Sequence, residues 1–146
     1  MRNFSNYILY NFKDEPKDFY SRLRLNVDLC KELDVTIYSF PMKFHPITGE
    51  DRFNRDYLGK QWNRKYVRAI QAVLNAIKGK VGSEEDFFEK AFGRNENEFF
   101  KILNMPETMI LYGLVKRTIH IRFLKMRGGN VGTKHLATST IRKRLN

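Results

Sequence analysis

One cysteine in 146 residues, Cys30, excludes an internal disulfide and any metal site built from this chain's cysteines alone. No apolar run nears the roughly 20 residues that cross a bilayer. The N-terminus also lacks the basic, apolar and small-residue succession of a secretory leader, so a cytoplasmic location is expected. The three histidines, His45, His120 and His135, are too scattered for the close ligand pairs of zinc motifs. RGGNVG, residues 127–132, is glycine-rich but has neither the lysine nor the hydroxyl spacing of a phosphate loop. No Gly-x-Ser-x-Gly nucleophile elbow occurs. Glu84, Glu85 and Asp86 cluster at an expected helix start, where acids favour the positive dipole end, and read as a cap rather than an acid–base pair. Acids are missing from the last quarter altogether. Residues 108–146 hold nine basic side chains and no acid, whereas residues 1–107 hold 18 basic and 16 acidic ones, so nearly all of the +11 net charge is C-terminal.

What is present is a core. Hydrophobic residues make up 42% of the chain and aromatics 14%, including 12 Phe and 7 Tyr, enough for one packed domain. YILYNF, residues 7–12, is a short apolar run that suits a strand covered on both faces. Asp14, Glu15 and Pro16 then place acids and a first-turn proline where a helix begins. Residues 17–33 space Phe19, Leu23, Val27 and Cys30 along one helical face, with Tyr20 beside them, and Cys30 reads as an ordinary buried thiol. Asp34 ends the helix, and VTIYSF, residues 35–40, is a second strand before Pro41. Strand, helix and strand of these lengths predict a parallel, right-handed βαβ unit. Two such strands call for neighbours beyond those the chain offers.

The remainder reads differently. Residues 1–46 form the βαβ segment and residues 47–59 an irregular connection containing Gly49. Residues 60–126 form a helical extension, and residues 127–146 a basic tail that needs no fold of its own. From 60 to 78, Trp62, Tyr66, Ile70, Val73 and Ile77 share one face of an amphipathic helix that Gly79 and Gly82 close. Ser83 with Asp86, and Asn95 with Glu98, read as capping boxes of two short helices. The first carries Phe87, Phe88, Ala91 and Phe92 and stops at Gly93; the second carries Phe99, Phe100, Ile102 and Leu103. That much aromatic surface should pack on the helix of residues 60–78 or on a partner chain. Pro106 opens a last helix, 107–126, although TIHIRFL within it alternates like a strand.

Several phrases together carry a resemblance. NFKDEPKDF, residues 11–19, resembles the fifth strand-to-helix turn of radical S-adenosylmethionine enzymes. IYSFPMKFHP, residues 37–46, resembles their sixth strand and following loop. GKQWNRKYVRAIQAVLNA, DFFEKAFG and EFFKILNMPE are similar to phrases near the C-terminal end of the subgroup that carries a cobalamin-binding domain. The likeness covers roughly residues 5–115. It implies an α/β fold in which the βαβ unit forms the last strands of a partial (β/α)6 barrel, followed by a mostly helical C-terminal extension. On that view the chain is a C-terminal part or subunit of a longer enzyme. The missing N-terminal barrel half lies in the same longer protein or in a separate chain; Met1 is compatible with a truncated gene, a split gene or a natural short product. S-adenosylmethionine and a [4Fe-4S] cluster are implied for the complete enzyme. The family's Cys-x3-Cys-x2-Cys motif is absent here, so neither is expected on this chain alone, and activity is not expected alone either. The turn is also one residue shorter than the family's, with Asn11 where glycine is usual.

Ligands of parallel sheets sit beyond the carboxyl ends of the strands. The candidate cofactor-edge residues are therefore Asn11 and Phe12, with Lys13 beside them, and Phe40, Pro41 and Met42. The resemblance places the adenine and ribose along this edge. The bland alternative is that Asn11 caps a turn and Phe40 belongs to the core. A competing function uses the basic tail: Arg127, Lys134, Arg142, Lys143 and Arg144 would contact nucleic-acid phosphates in a salt-sensitive way. Tyr112 and Phe123 are the only aromatics among residues 108–146, too few for a base-stacking platform. No membrane partner is expected.

Overall fold

A computed structural model describes residues 2–113 of the chain. It is mixed α/β. Strand β1 spans Asn3–Tyr10, helix α1 Pro16–Leu33, strand β2 Thr36–Lys43, helix α2 Arg64–Ala76, helix α3 Glu85–Phe92 and helix α4 Glu96–Leu103. A short 3-10 helix at Glu50–Phe53 interrupts the long connection after β2, and residues 107–113 are helical. The expected helical residues 114–126 and the basic tail 127–146 lie outside the described residues.

β1 and β2 pair in parallel, from Asn3 opposite Thr36 to Tyr10 opposite Lys43. The pair begins and ends elsewhere than the apolar runs suggest. β1 starts four residues earlier, and its last two expected members, Asn11 and Phe12, lie beyond it. β2 runs through Pro41 to Lys43, although proline ordinarily ends a strand. The reason is register. Thr36 N–H donates to Arg2 O and Phe44 N–H to Tyr10 O, so the even-numbered residues of β2 face β1. Pro41 is odd, its nitrogen points outward, and no ladder donor is lost.

α1 begins as the sequence predicts. Pro16 is its first residue, and the Glu15 N–H donates to Asp18 Oδ2 at 2.9 Å. It ends on Asp34, whose φ of 51° is left-handed. One face lies on the sheet against Ile8 and Tyr10, where Asn26 Nδ2 bridges Asn6 Oδ1 at 3.1 Å and Ser39 Oγ at 2.7 Å. The other face meets the helical half. Phe19, Leu23 and Val27 are buried with Ile70, Phe88, Phe92, Phe99, Leu103 and Ile110. Phe19 lies edge-on to Trp62 and Phe92 with ring centroids 6.4 and 6.2 Å apart, and Tyr20 stacks on Phe99 at 5.2 Å. Tyr20 Oη donates to Gly93 O at 3.0 Å. The phenylalanines of α3 therefore pack on α1, whereas α4 lies against both α1 and α2, as expected in part, Phe100 meeting Tyr66 of α2 at 6.1 Å.

α2 is shorter than its apolar pattern. Trp62 is buried ahead of the helix, and Asn63 is the cap, its Oδ1 accepting from Tyr66 N–H at 2.8 Å. Its buried side also takes in Val67, Ala69, Ala72 and Leu74. The cap of α3 is Glu84, one place beyond the expected Ser83. The Asn95 cap of α4 forms as expected, Oδ1 accepting from Glu98 N–H at 3.0 Å. The Glu98 carboxylate takes the Arg94 N–H at 2.8 Å.

Charges fix α3 on α1. Arg24 reaches Glu85 at 2.8 Å, Glu89 at 3.0 Å and Asp28 at 3.3 Å, and Lys31 reaches Glu85 at 3.2 Å. The hydrogen bond and charge of Lys31, with Arg24 adding to them, hold the Glu85 carboxyl below its ordinary range. A depressed folded-state value contributes stability above the ordinary carboxylate range and loses it as pH falls through the folded value. Glu85→Gln should therefore flatten the acid limb of the stability–pH curve, measured by urea unfolding between about pH 3 and pH 7, leaving little difference between variant and parent at the acid end.

Candidate functional site

The carboxyl ends of β1 and β2 are closed by the chain itself. Tyr10 hands over to Asn11, whose φ of 64° is left-handed, a conformation asparagine tolerates better than most residues. Asn11 is fully buried. Its Nδ2 donates to Tyr57 O at 2.9 Å and to Phe44 O at 3.4 Å, and its Oδ1 accepts from Gly59 N–H at 2.7 Å. One amide thus ties the end of β1 to the exit of β2 and to the connection before α2. Gly59 is required there, because a Cβ would stand 2.5 Å from Phe12 O and 2.8 Å from Trp62 Cδ1. Phe12, Phe44 and Tyr57 add edge-on ring contacts at 4.5 and 6.1 Å.

The five expected cofactor-edge residues are consequently distributed rather than gathered. Asn11 spends its side chain on backbone groups. Phe12 packs on Phe44. Phe40 and Met42 project from the sheet face opposite α1, while Pro41 pairs with Ile8 on the α1 face. An open groove of about 640 Å³ is lined by Asn97, Phe100, Lys101, Asn104, Met105 and Pro106, and none of the five touches it. Arg127, Lys134, Arg142, Lys143 and Arg144 lie outside the described residues.

The feature most in need of explanation is the face that α1 does not cover. On it lie Ser5, Tyr7 and Leu9 of β1 and Tyr38, Phe40 and Met42 of β2, in the pairs Ser5–Tyr38, Tyr7–Phe40 and Leu9–Met42. The Tyr7 and Phe40 rings meet at 6.0 Å, yet Tyr7 is 73% exposed and Met42 47%. Lys80 Nζ sits over the Tyr38 ring at 4.7 Å. The expectation of cover on both faces thus holds for the α1 face, where Ile8 and Tyr10 are buried, and not for this one among the described residues. A single apolar residue in water is ordinary; an aromatic and apolar sheet face is a surface to be explained.

The two outer edges of the sheet also differ. On β2, Ile37 N–H donates to Cys30 Sγ at 3.1 Å, Ser39 exchanges both backbone bonds with Val81 at 2.8 and 2.9 Å, and Pro41 has no donor. On β1 the outward groups are those of odd residues. Arg22 Nη2 donates to Leu9 O at 2.9 Å while paired with Asp14. Among the described residues no hydrogen bond reaches the outward amide and carbonyl groups of Ser5 and Tyr7. Cys30 is therefore a structural acceptor; the edge asymmetry depends on pairing parity, which apolar patterning does not specify.

No group of three His, Cys, Asp or Glu side chains among the described residues is placed to hold a metal ion. His45 Nε2 is spent on Arg52 O at 2.8 Å. Burial pushes the Tyr10 phenol above its ordinary value, with a hydrogen bond to Gln71 opposing the shift. No helix among the described residues is long and apolar enough to cross a membrane.

Asn11→Ala removes all three amide bonds and strands the buried Gly59 N–H, so it should cost about 2–3 kcal/mol of stability in denaturant unfolding. Gly59→Ala should also destabilise. Comparison with known proteins finds no matching family, no curated relative and no similar solved structure.

Proposed function

We propose that this chain is a barrel-completing part of a radical S-adenosylmethionine enzyme of the cobalamin-associated type, without radical activity of its own. The reading starts from the ordered family-like phrases of the sequence. The structural observation that carries it is the sheet face away from α1, where Tyr7, Leu9 and Met42 are exposed and Phe40 is half-buried. In parallel β/α barrels the helices lie outside and the opposite strand face lines the interior. α1 covers one face here, so the other is the one that would look into a barrel, and Phe40 and Met42 are on it.

The residues present do not fit the cluster that the resemblance implies. A [4Fe-4S] cluster takes thiolate ligands, and the one thiol, Cys30, is buried and accepts the Ile37 N–H. The side chain of Asn11 is likewise committed to its own backbone neighbours. Any cluster and most cofactor contacts must come from the remainder of the enzyme. This chain's part is wall, closing the carboxyl end of the last two strands with the connection at residues 54–62. The nucleic-acid alternative rests wholly on the tail, and no observation among the described residues favours it.

Reconstitution of the full chain with iron and sulfide tests the proposal. The chain should develop no stable charge-transfer absorbance of a four-iron cluster and should not cleave S-adenosylmethionine under reduction. A stable cluster with cofactor cleavage would overturn it.

A further inference from the structure

We infer that residues 45–56 form a flap, held open by the exposed ion pair Asp56–Arg64, which swings on pins at Phe44 and Tyr57 and closes over Leu9, Met42, Tyr7 and Phe40. The pins are fixed. Asn11 Nδ2 donates to Phe44 O at 3.4 Å and to Tyr57 O at 2.9 Å, and the two rings meet edge-on at 6.1 Å. Between the pins the segment bonds to itself. His45 Nε2 lies 2.8 Å from Arg52 O, Arg52 N–H donates to Gly49 O at 3.4 Å, Asn54 N–H to Asp51 O at 3.0 Å, and Asp56 N–H to Asn54 Oδ1 at 3.0 Å. Among the described residues the one hydrogen bond or ion pair from this segment to the body beyond its pins is Asp56 with Arg64, 3.7 Å apart and exposed on both sides. Such a pair holds weakly. A loop with joined ends and internal bonds moves as a unit.

The flap carries the two most exposed large apolar side chains of the described residues, Ile47 at 87% and Phe53 at 80%. Their counterpart is the sheet face away from α1. Phe44 shares the parity of Tyr38, Phe40 and Met42, which puts the base of the flap on their side of the sheet. Ile47, three residues from Phe44, reaches up to about 10 Å from that pin, and Phe53, four from Tyr57, up to about 14 Å. Along β2 the Leu9–Met42 pair lies about 7 Å from Phe44 and the Tyr7–Phe40 pair about 13 Å. Closure exchanges one exposed ion pair for apolar burial on both surfaces. The flap thereby shields the face in water and gives way to whatever else fills that space. None of this depends on the enzyme reading.

Methyl NMR of the full chain in the presence of a soluble gadolinium chelate tests the flap. Asp56→Asn removes the ion pair and should cut the chelate's relaxation of the Leu9 and Met42 methyls at least about twofold, as the population shifts toward the closed state. New NOEs should join the Ile47 methyl to both. Ile47→Ser with Phe53→Ser should abolish the NOEs, and adding Asp56→Asn to that pair should change nothing. All three side chains are exposed, so the fold is retained. Equal relaxation in parent and Asp56→Asn, Ile47 NOEs confined to its own segment, or protection that rises with protein concentration and so comes from a second copy, would each overturn the inference. A cluster assembled by the chain alone would refute the enzyme reading and leave the flap result standing.

Discussion

In a two-stranded parallel sheet, every second residue of each strand turns its N–H and C=O away from the partner, and those groups need acceptors, donors or water. Here the two rows meet different fates. β2 spends its outward groups on a thiol, on Val81 and on a proline that has no donor to spend. Among the described residues β1 has one clamp, Arg22 on Leu9 O, near its C-terminal end. The same pairing parity that lets Pro41 lie inside a strand also decides which side chains face α1 and which face away from it.

α1 is the spine on which this depends. It is buried on two sides, so it transmits the position of the helical half to the sheet. On the sheet side the Asn26 amide joins Asn6 to Ser39 across both strands. A one-residue slip of either strand would break that bridge and turn its apolar set to the wrong face, so the polar contact specifies register as well as adding stability. On the helical side the aromatic cluster around Phe19 and Tyr20, with the Arg24 ion pairs, seats α3 and α4.

Local signals made much of this legible. Acids and Pro16 ahead of an apolar stripe specify α1, and Asp34 marks its end, because each acts on its own turn of backbone. The parallel βαβ unit follows from helix length between two apolar runs. What could not be read were outcomes of pairing. The continuation of β2 past Pro41 requires knowing which way that nitrogen points. The packing of α3 on α1, and of α4 on both α1 and α2, requires a third dimension that helical periodicity lacks. Trp62 fits the stripe of α2 by spacing but lies before its Asn63 cap. Asn11 offered a turn or a ligand contact; its role, holding Tyr57, Phe44 and Gly59 together, spans up to 48 residues. The distribution of the five candidate cofactor residues over two faces and a loop follows from the period of two along a strand.

The proposed enzyme reading joins a sequence resemblance to an apolar sheet face; the contrast between the two sheet edges is a separate physical feature of the fold. Residue-resolved amide exchange on the full chain without any added ligand tests that contrast directly. The account predicts fast, solvent-like exchange at Ser5 and Tyr7 beside protected amides at Ile37 and Ser39. Equal protection on both edges would contradict it, because β1 would then already have a partner.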